Sequence, residues 1–226
     1  MRLYIENTIK ADPAALWART QDPAQHQRWD LRFHRIEYLP LAPGEPQRFR
    51  YATFGVAGVG VSVGERRSPD GSSTSALRFA SAHPLSLIRS GSGYWRYRPG
   101  PHGVRFSTGY DYRPGWGRLG LPADLLFRPL MGWATAWSFD RLRLWLEEGI
   151  SPESALRRAL ADLAVRLLLT LATLLLTPWP TALATALLAL FAPPAPGVPA
   201  ARRCLRRPPD ALAATPPATL SRLELP

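Results

Sequence analysis

Residues 103–148 read GVRFSTGYDYRPGWGRLGLPADLLFRPLMGWATAWSFDRLRLWLEE, and the hydrophobic period changes once along them. In the first part Val104, Phe106, Thr108, Tyr110 and Tyr112 alternate with Arg105, Ser107, Gly109, Asp111 and Arg113. A strand sends successive side chains to opposite faces, so this spacing predicts a strand with one apolar face and one wet face. After Trp116 the period is helical to about Glu148, with Pro129 expected to kink the helix and Gly149 to stop it. Leu126, Leu130, Trp133, Trp137, Arg141 and Leu144 form its stripe, widened by Met131, Leu142, Trp145 and Leu146. So long an apolar helix needs a broad apolar partner, and a sheet curved around it supplies one.

Upstream, period-two runs cover residues 32–39, 47–54, 58–67, 74–81 and 87–98, separated by PGEP, PDGS and HP. With the run at 103–113 they predict an antiparallel meander. An opening strand carries Leu3, Ile5 and Ile9, and Asp12-Pro13 and Asp22-Pro23 each mark a helix start. Aspartate accepts first-turn amide hydrogens, and proline at the first helical position sacrifices no bond. Trp17 and Trp29 anchor these two short helices.

The 226-residue chain divides near Gly149. Residues 1–150 hold 21 of the 23 aromatic residues and 13 of the 17 acidic ones, while the remainder is leucine, alanine, proline and arginine. The net charge of +11 divides as +7 and +4 between the two parts, and the arginines are scattered. Scatter without a recognisable module argues against nucleic-acid binding. Cys204 is the only cysteine, which excludes an internal disulfide and a cysteine-rich metal site. MRLYIENTIK lacks the apolar core of a signal peptide, so the first domain is expected in the cytoplasm.

Residues 167–192, LLLTLATLLLTPWPTALATALLALFA, carry no charge. As a helix they would span about 39 Å, beyond the roughly 30 Å of a hydrocarbon core. Pro178 and Pro180 break the run, leaving a kinked single span or a shallow hairpin. Upstream, Leu156, Leu160, Leu163 and Leu167 face away from Arg157, Arg158, Asp162 and Arg166, so residues 156–192 are expected to meet the membrane as an amphipathic entry followed by the apolar run. Arginines at both ends favour a hairpin with both ends cytoplasmic; a water-soluble buried hairpin is the competing reading. Residues 194–226, rich in proline and arginine, are expected to be extended and disordered, with Cys204 a thiol without a role.

The stretches TQDPAQHQRWDLRFHRIEYLP (20–40), EPQRFRYATFG (45–55), SLIRSGSGYWRYRP (86–99), RFSTGYDYR (105–113) and RPLMGWATAWSFDRLRLWLEEG (128–149) resemble bacterial START-like, or SRPBCC, proteins of the polyketide-cyclase and lipid-transport type. The resemblance covers roughly residues 1–150. It implies an α+β helix-grip fold, a curved antiparallel sheet around a long terminal helix, with a hydrophobic ligand held between them. The subset most resembled carries a DoxX-like membrane part after that helix; here the apolar tail is too short and proline-broken for a complete four-helix domain. The superfamily shares a cavity rather than a catalytic motif, so the resemblance supplies no catalytic residue.

Candidate cavity walls are Phe49, Tyr51, Phe79, Phe106, Tyr110, Trp133 and Trp137, chosen by strand parity and helix stripe; the competing reading is that they only fill the core. Tyr51, Tyr94, Tyr110 and Tyr112 are expected mostly to reach solvent, and Asp111 to pair with Arg96 or Arg98. His26, Asp30, His34 and Glu37 form a weak acid/base cluster, because His34 and Glu37 have opposite parity and His26 is expected in an exposed helix. GVAGVGVSVG (55–64) continues into a strand, which suits a closely packed hairpin and not a phosphate loop. No metal and no cofactor is expected. The sequence therefore points to a membrane-anchored protein at the cytoplasmic face that binds a hydrophobic small molecule or lipid. A cyclase or aromatase, and a noncatalytic module for an unidentified protein partner, are the alternatives.

Overall fold

The computed structural model describes residues 3–41, 44–53, 55–66 and 71–224. The ends of two expected strand runs, Phe54 and Arg67, and part of the PDGS turn lie outside the described residues. Seven strands, β1 (Leu3–Ile9), β2 (Arg35–Tyr38), β3 (Gln47–Thr53), β4 (Val56–Arg66), β5 (Ser73–Ala80), β6 (Ile88–Gly100) and β7 (Gly103–Pro114), form one antiparallel sheet in the order β1-β7-β6-β5-β4-β3-β2. Helices α1 (Pro13–Gln21) and α2 (Pro23–Trp29) fill the connection from β1 to β2. Asp12 and Asp22 cap them as the sequence requires, accepting from the Ala15 and Ala24 amides at 3.0 and 2.9 Å.

The long helix α3 (Gly120–Glu148) lies across the concave face, continues through Pro129 and ends at Gly149 with φ 66°. Its burial is lopsided. Residues 134–142 and Leu144 are buried, packing into the core with Ile5, Ile9, Trp29 and Phe106, whereas Leu126 and Leu130 near the start are exposed. The expected stripe is therefore buried only from Trp137 onward.

Beyond Gly149 come α4 (Pro152–Leu176) and α5 (Trp179–Phe191), two antiparallel helices joined at Thr177 and Pro178. Ser151 caps α4 by accepting from the Ser154 amide. Arg166 ties the pair, holding Asp162 at 2.7 Å and donating to the carbonyls of Ala192 and Pro193 past the end of α5. The leucines of both helices face outward: an 18-residue window of α4 has mean hydropathy 2.0 and none of it is buried. By length and composition α4 is apolar enough to cross a membrane, while α5 is shorter.

The expectation that residues 194–226 are extended and without fold is corrected. Val198, Ala200, Ala201 and Cys204 are buried, the last two within the main core, and the Cys204 thiol points at the Ala136 carbonyl at 3.2 Å. The fully buried carboxylate of Asp140 organises this return, accepting from the Ala200 amide at 2.8 Å, Arg203 at 2.8 Å and Arg143 at 2.7 Å. The chain then bridges Glu6 through Leu205 and crosses the convex face of the sheet, where a one-turn helix α6 (Ala211–Ala214) covers Tyr94 and Arg96, and Leu223 packs on Val61 and Ala76. The face expected to be wet is thus partly roofed by the tail, and Ser107 is buried. Proline limits regular helix but does not prevent a segment from packing when its alanines and leucines find apolar surface and its carbonyls find donors.

Removing the Asp140 carboxylate takes one acceptor from Arg143, which keeps Glu147, and one from Arg203, which keeps the Val198 carbonyl, and it strips the buried Ala200 amide of its acceptor. Asp140→Ala should destabilise the chain by about 3–5 kcal/mol in urea titration and expose residues 195–210 to limited proteolysis. Unchanged cleavage of that segment would show that the tail is held by other contacts.

Candidate functional site

Where the first half of α3 stands clear of the sheet, a cavity of about 520 Å³ remains between them. Its walls come from strand residues of one parity, Phe49, Tyr51, Leu77, Phe79, Trp95 and Tyr110, together with Phe33 and Ile36 before and in β2, and Leu130, Trp133 and Ala134 on α3. The hollow is maintained by glycine placed opposite aromatic side chains. Phe49 pairs with Gly60 and Tyr51 with Gly58 across β3 and β4, and a Cβ added at either glycine would collide with the facing ring. The rings lie flat over bare backbone, which explains the glycine-rich stretch at 55–64 without a phosphate.

Five of the seven expected wall residues, Phe49, Tyr51, Phe79, Tyr110 and Trp133, line this space. Phe106 and Trp137 do not. Phe106 is fully buried and stacks on Phe139 at 4.4 Å, and Trp137 packs in the same core, so both close the end of the hollow instead of lining it. Parity in β5 and β6 would also have reached Leu77 and Trp95. Arg32 and Phe33 open the expected strand run 32–39, but β2 begins only at Arg35 and leaves them in the irregular segment after α2.

The two ionisable nitrogen bases on the cavity wall, His26 and Arg32, are linked through Asp30 behind them. His26 lies on α2 but is not exposed: its side chain is 12% accessible, it stacks on Trp29 at 4.9 Å and holds Asp30 at 3.0 Å. Asp30 is fully buried and also receives Arg32 through two bonds of 2.9 and 2.7 Å. Burial alone would raise the Asp30 carboxyl, but the Arg32 guanidinium and the His26 bond outweigh it and hold the group well below the usual carboxylate range. Burial lowers the His26 imidazole against the opposing pull of Asp30, so it is neutral near pH 7. Arg32 stands 5.4 Å from the Tyr110 ring. At another corner Thr20 and Gln21 meet the Tyr97 hydroxyl at 2.6 and 2.9 Å. Burial pushes the Tyr51 hydroxyl up to about 12.

The remaining expectations divide. Of the acid/base cluster, His26 and Asp30 come together, Glu37 pairs with Arg35 on the surface, and His34 lies in a neighbouring recess. Asp111 pairs with Arg128 of α3 at 2.8 Å, not with Arg96, which instead donates to the carbonyls of Leu212 and Thr215. Tyr94, Tyr110 and Tyr112 are buried with hydroxyl partners, Ala213, Thr135 and Asp124, rather than solvated. Sequence could not supply these partners, since each comes from α3 or the tail. Among the described residues no three histidine, cysteine, aspartate or glutamate side chains gather as a metal site requires.

The family model described as "Polyketide cyclase / dehydrase and lipid transport" matches residues 2–147, ending short of the hairpin. An uncharacterized membrane protein of Bacillus subtilis (strain 168), YndG, is 48% identical over 165 residues, 70% of this chain and 62% of that protein. The chain thus spans less than two thirds of that relative's length. Solved structures similar to it include TTHA0849 from Thermus thermophilus, with TM-score 0.48 and 16% identity over 65% of this chain and 99% of that one. A STAR-related lipid transfer protein fragment from Xanthomonas axonopodis gives TM-score 0.46 and 20% identity over 64% and 85%.

The lowered His26 sets a pH dependence. An unfolded imidazole takes up its proton near 6.5, while the folded one resists it, so the unfolded chain binds more protons as pH falls. Stability should fall by up to about 1.4 kcal/mol for each pH unit below about 6.5, until the folded group also titrates. Urea midpoints between pH 8 and 5 should show this slope in the native chain and lose it in His26→Gln; equal slopes would refute the assignment.

Proposed function

Because the chain belongs to the polyketide cyclase/dehydrase and lipid transport family, we propose that it binds a hydrophobic small molecule or lipid in the cavity under α3, at the cytoplasmic face of a membrane in which the α4–α5 hairpin is embedded. The observation that carries this reading is the aromatic-walled space of about 520 Å³ itself, within the usual range for a ligand pocket. Apolar ligand surface buried there contributes about 25 cal/mol per Å² before the costs of association. The Arg32–Asp30–His26 group gives one polar point against which a ligand's head can be oriented. Leu85, Leu130 and Trp133 line the cavity while remaining partly exposed, so it opens to the outside along an apolar rim.

The hairpin supports placing this container at a membrane. From Leu167 to Leu176 the uncharged part of α4 rises about 15 Å and α5 about 20 Å, roughly half and two thirds of a 30 Å hydrocarbon layer. A hairpin entering and leaving through one leaflet fits those lengths, and it leaves the domain and the returning tail on the same side. A ligand could then pass between bilayer and cavity without crossing bulk water.

The cyclase-like alternative needs acid/base groups on the cavity wall. His34 and Asp111, which would have to face inward for it, are not among the lining residues, which leaves the neutral, Asp30-bound His26. A regulatory module without a ligand is favoured by a filled core, which the open space between α3 and the sheet opposes.

The full chain purified in mild detergent should carry a homogeneous apolar passenger, read by native mass spectrometry and by solvent extraction. Ala134→Phe, which fills part of the cavity, should reduce occupancy at least about twofold with folding retained; a passenger unaffected by this change, or none in the native chain, would sink the container reading. For the anchor, Leu175→Arg with Leu187→Arg costs about 3 kcal/mol per charge on insertion, and the protein should move from the membrane to the soluble fraction. Equal membrane retention would overturn the embedded hairpin.

A further inference from the structure

Beside the apolar cavity, and divided from it by Leu31, Arg32, Phe33 and Thr53, lies a second recess of about 390 Å³ with different chemistry. Arg28 of α2, Arg141 of α3 and Glu153 of α4 meet there with the segment after α2. Three guanidinium groups face two carboxylates. Both carboxylates are already taken in two-point pairs, Asp30 by Arg32 and Glu153 by Arg28, the latter at 2.8 and 3.0 Å.

Arg141 is the excess cation. It is 6% exposed, and only its Nε has an acceptor among the described residues, the Pro152 carbonyl at 2.8 Å. Its two terminal nitrogens are left to the recess, without an acceptor among those residues. Removing a guanidinium from water without a partner is costly, and a planar pair of N–H donors matches the oxygen spacing of a phosphate or carboxylate. The recess also sits at the first turn of α4, where the folded domain passes into the apolar hairpin. Leu167, where the uncharged part of α4 begins, lies fourteen residues, about 21 Å, further along the same helix.

We propose that this recess binds one phosphate-type oxyanion, held by the terminal nitrogens of Arg141 and by Arg28, with Glu153 competing for Arg28 when the site is empty. The group could be a lipid headgroup phosphate or free phosphate. The site is independent of what fills the apolar cavity, so it stands or falls separately from that reading.

The test uses the full chain in nonionic detergent, titrated with inorganic phosphate by calorimetry, and the same chain in flotation with phosphatidic acid or phosphatidylcholine vesicles. Saturable phosphate binding should weaken at least about tenfold in Arg141→Gln, and tighten about threefold or more in Glu153→Gln, which removes the competing carboxylate. The opposite sign of the second variant is not produced by structural damage, and it carries the test should Arg141→Gln fail to fold. Preference for phosphatidic acid that is lost in Arg141→Gln and competed by phosphate identifies the headgroup as the source. Phosphate binding without that preference identifies the free anion. No phosphate binding, together with no change of vesicle preference in either variant, overturns the site.

Discussion

The helix closes on the sheet at one end only. Phe106 stacked on Phe139, with Trp29 and Trp137 around them, locks the second half of α3 to the concave face. Ahead of that lock, helix and sheet diverge. The space between them is kept open by rings laid over glycine backbone rather than by side chains meeting across the gap. Tight packing at one end and bare backbone at the other are both needed. A bulky residue in place of Gly58 or Gly60 would drive Tyr51 or Phe49 into the hollow, and loss of the lock would let α3 settle or swing.

Charge is handled by the same economy. Asp30 and Asp140 are fully buried carboxylates, each satisfied by two or more donors. Asp30 ties His26 of α2 to Arg32 of the segment that follows, whereas Asp140, at the seam with the returning tail, joins segments some sixty residues apart. A buried ion pair gives little net stability compared with an apolar replacement, but breaking one half is severe, and such pairs make the geometry of a junction specific. The convex face shows a milder version, with Arg96 satisfied by two carbonyls of the tail.

The sheet, the two capped helices and the long helix are legible because each is written in local pattern: alternation in β7, Asp-Pro at the starts of α1 and α2, glycine after Glu148. Four cavity residues, Phe49, Tyr51, Phe79 and Tyr110, follow from strand parity, and Trp133 from the helix stripe. What parity cannot express is depth along the helix, and that is why Phe106 and Trp137 read as wall although they belong to the lock. His26 is misplaced by sequence because a short helix with polar neighbours reads as exposed until Trp29, Phe33 and Trp95 close around it. The tail is misjudged for a related reason. Proline density describes what a segment cannot form alone, whereas Ala200, Ala201 and Cys204 are ordered by a carboxylate some sixty residues away on α3.

Asp140 and Arg141 are consecutive on α3, and they grip opposite ends of the hairpin excursion: Arg141 the carbonyl of Pro152 on the way out, Asp140 the amide of Ala200 on the way back. Single-linker attachment leaves a domain free to swivel about its stalk. Two moorings on adjacent residues of a rigid helix remove that rotation, so an embedded hairpin would give the domain a fixed heading, with its apolar doorway held at one attitude to the lipid surface.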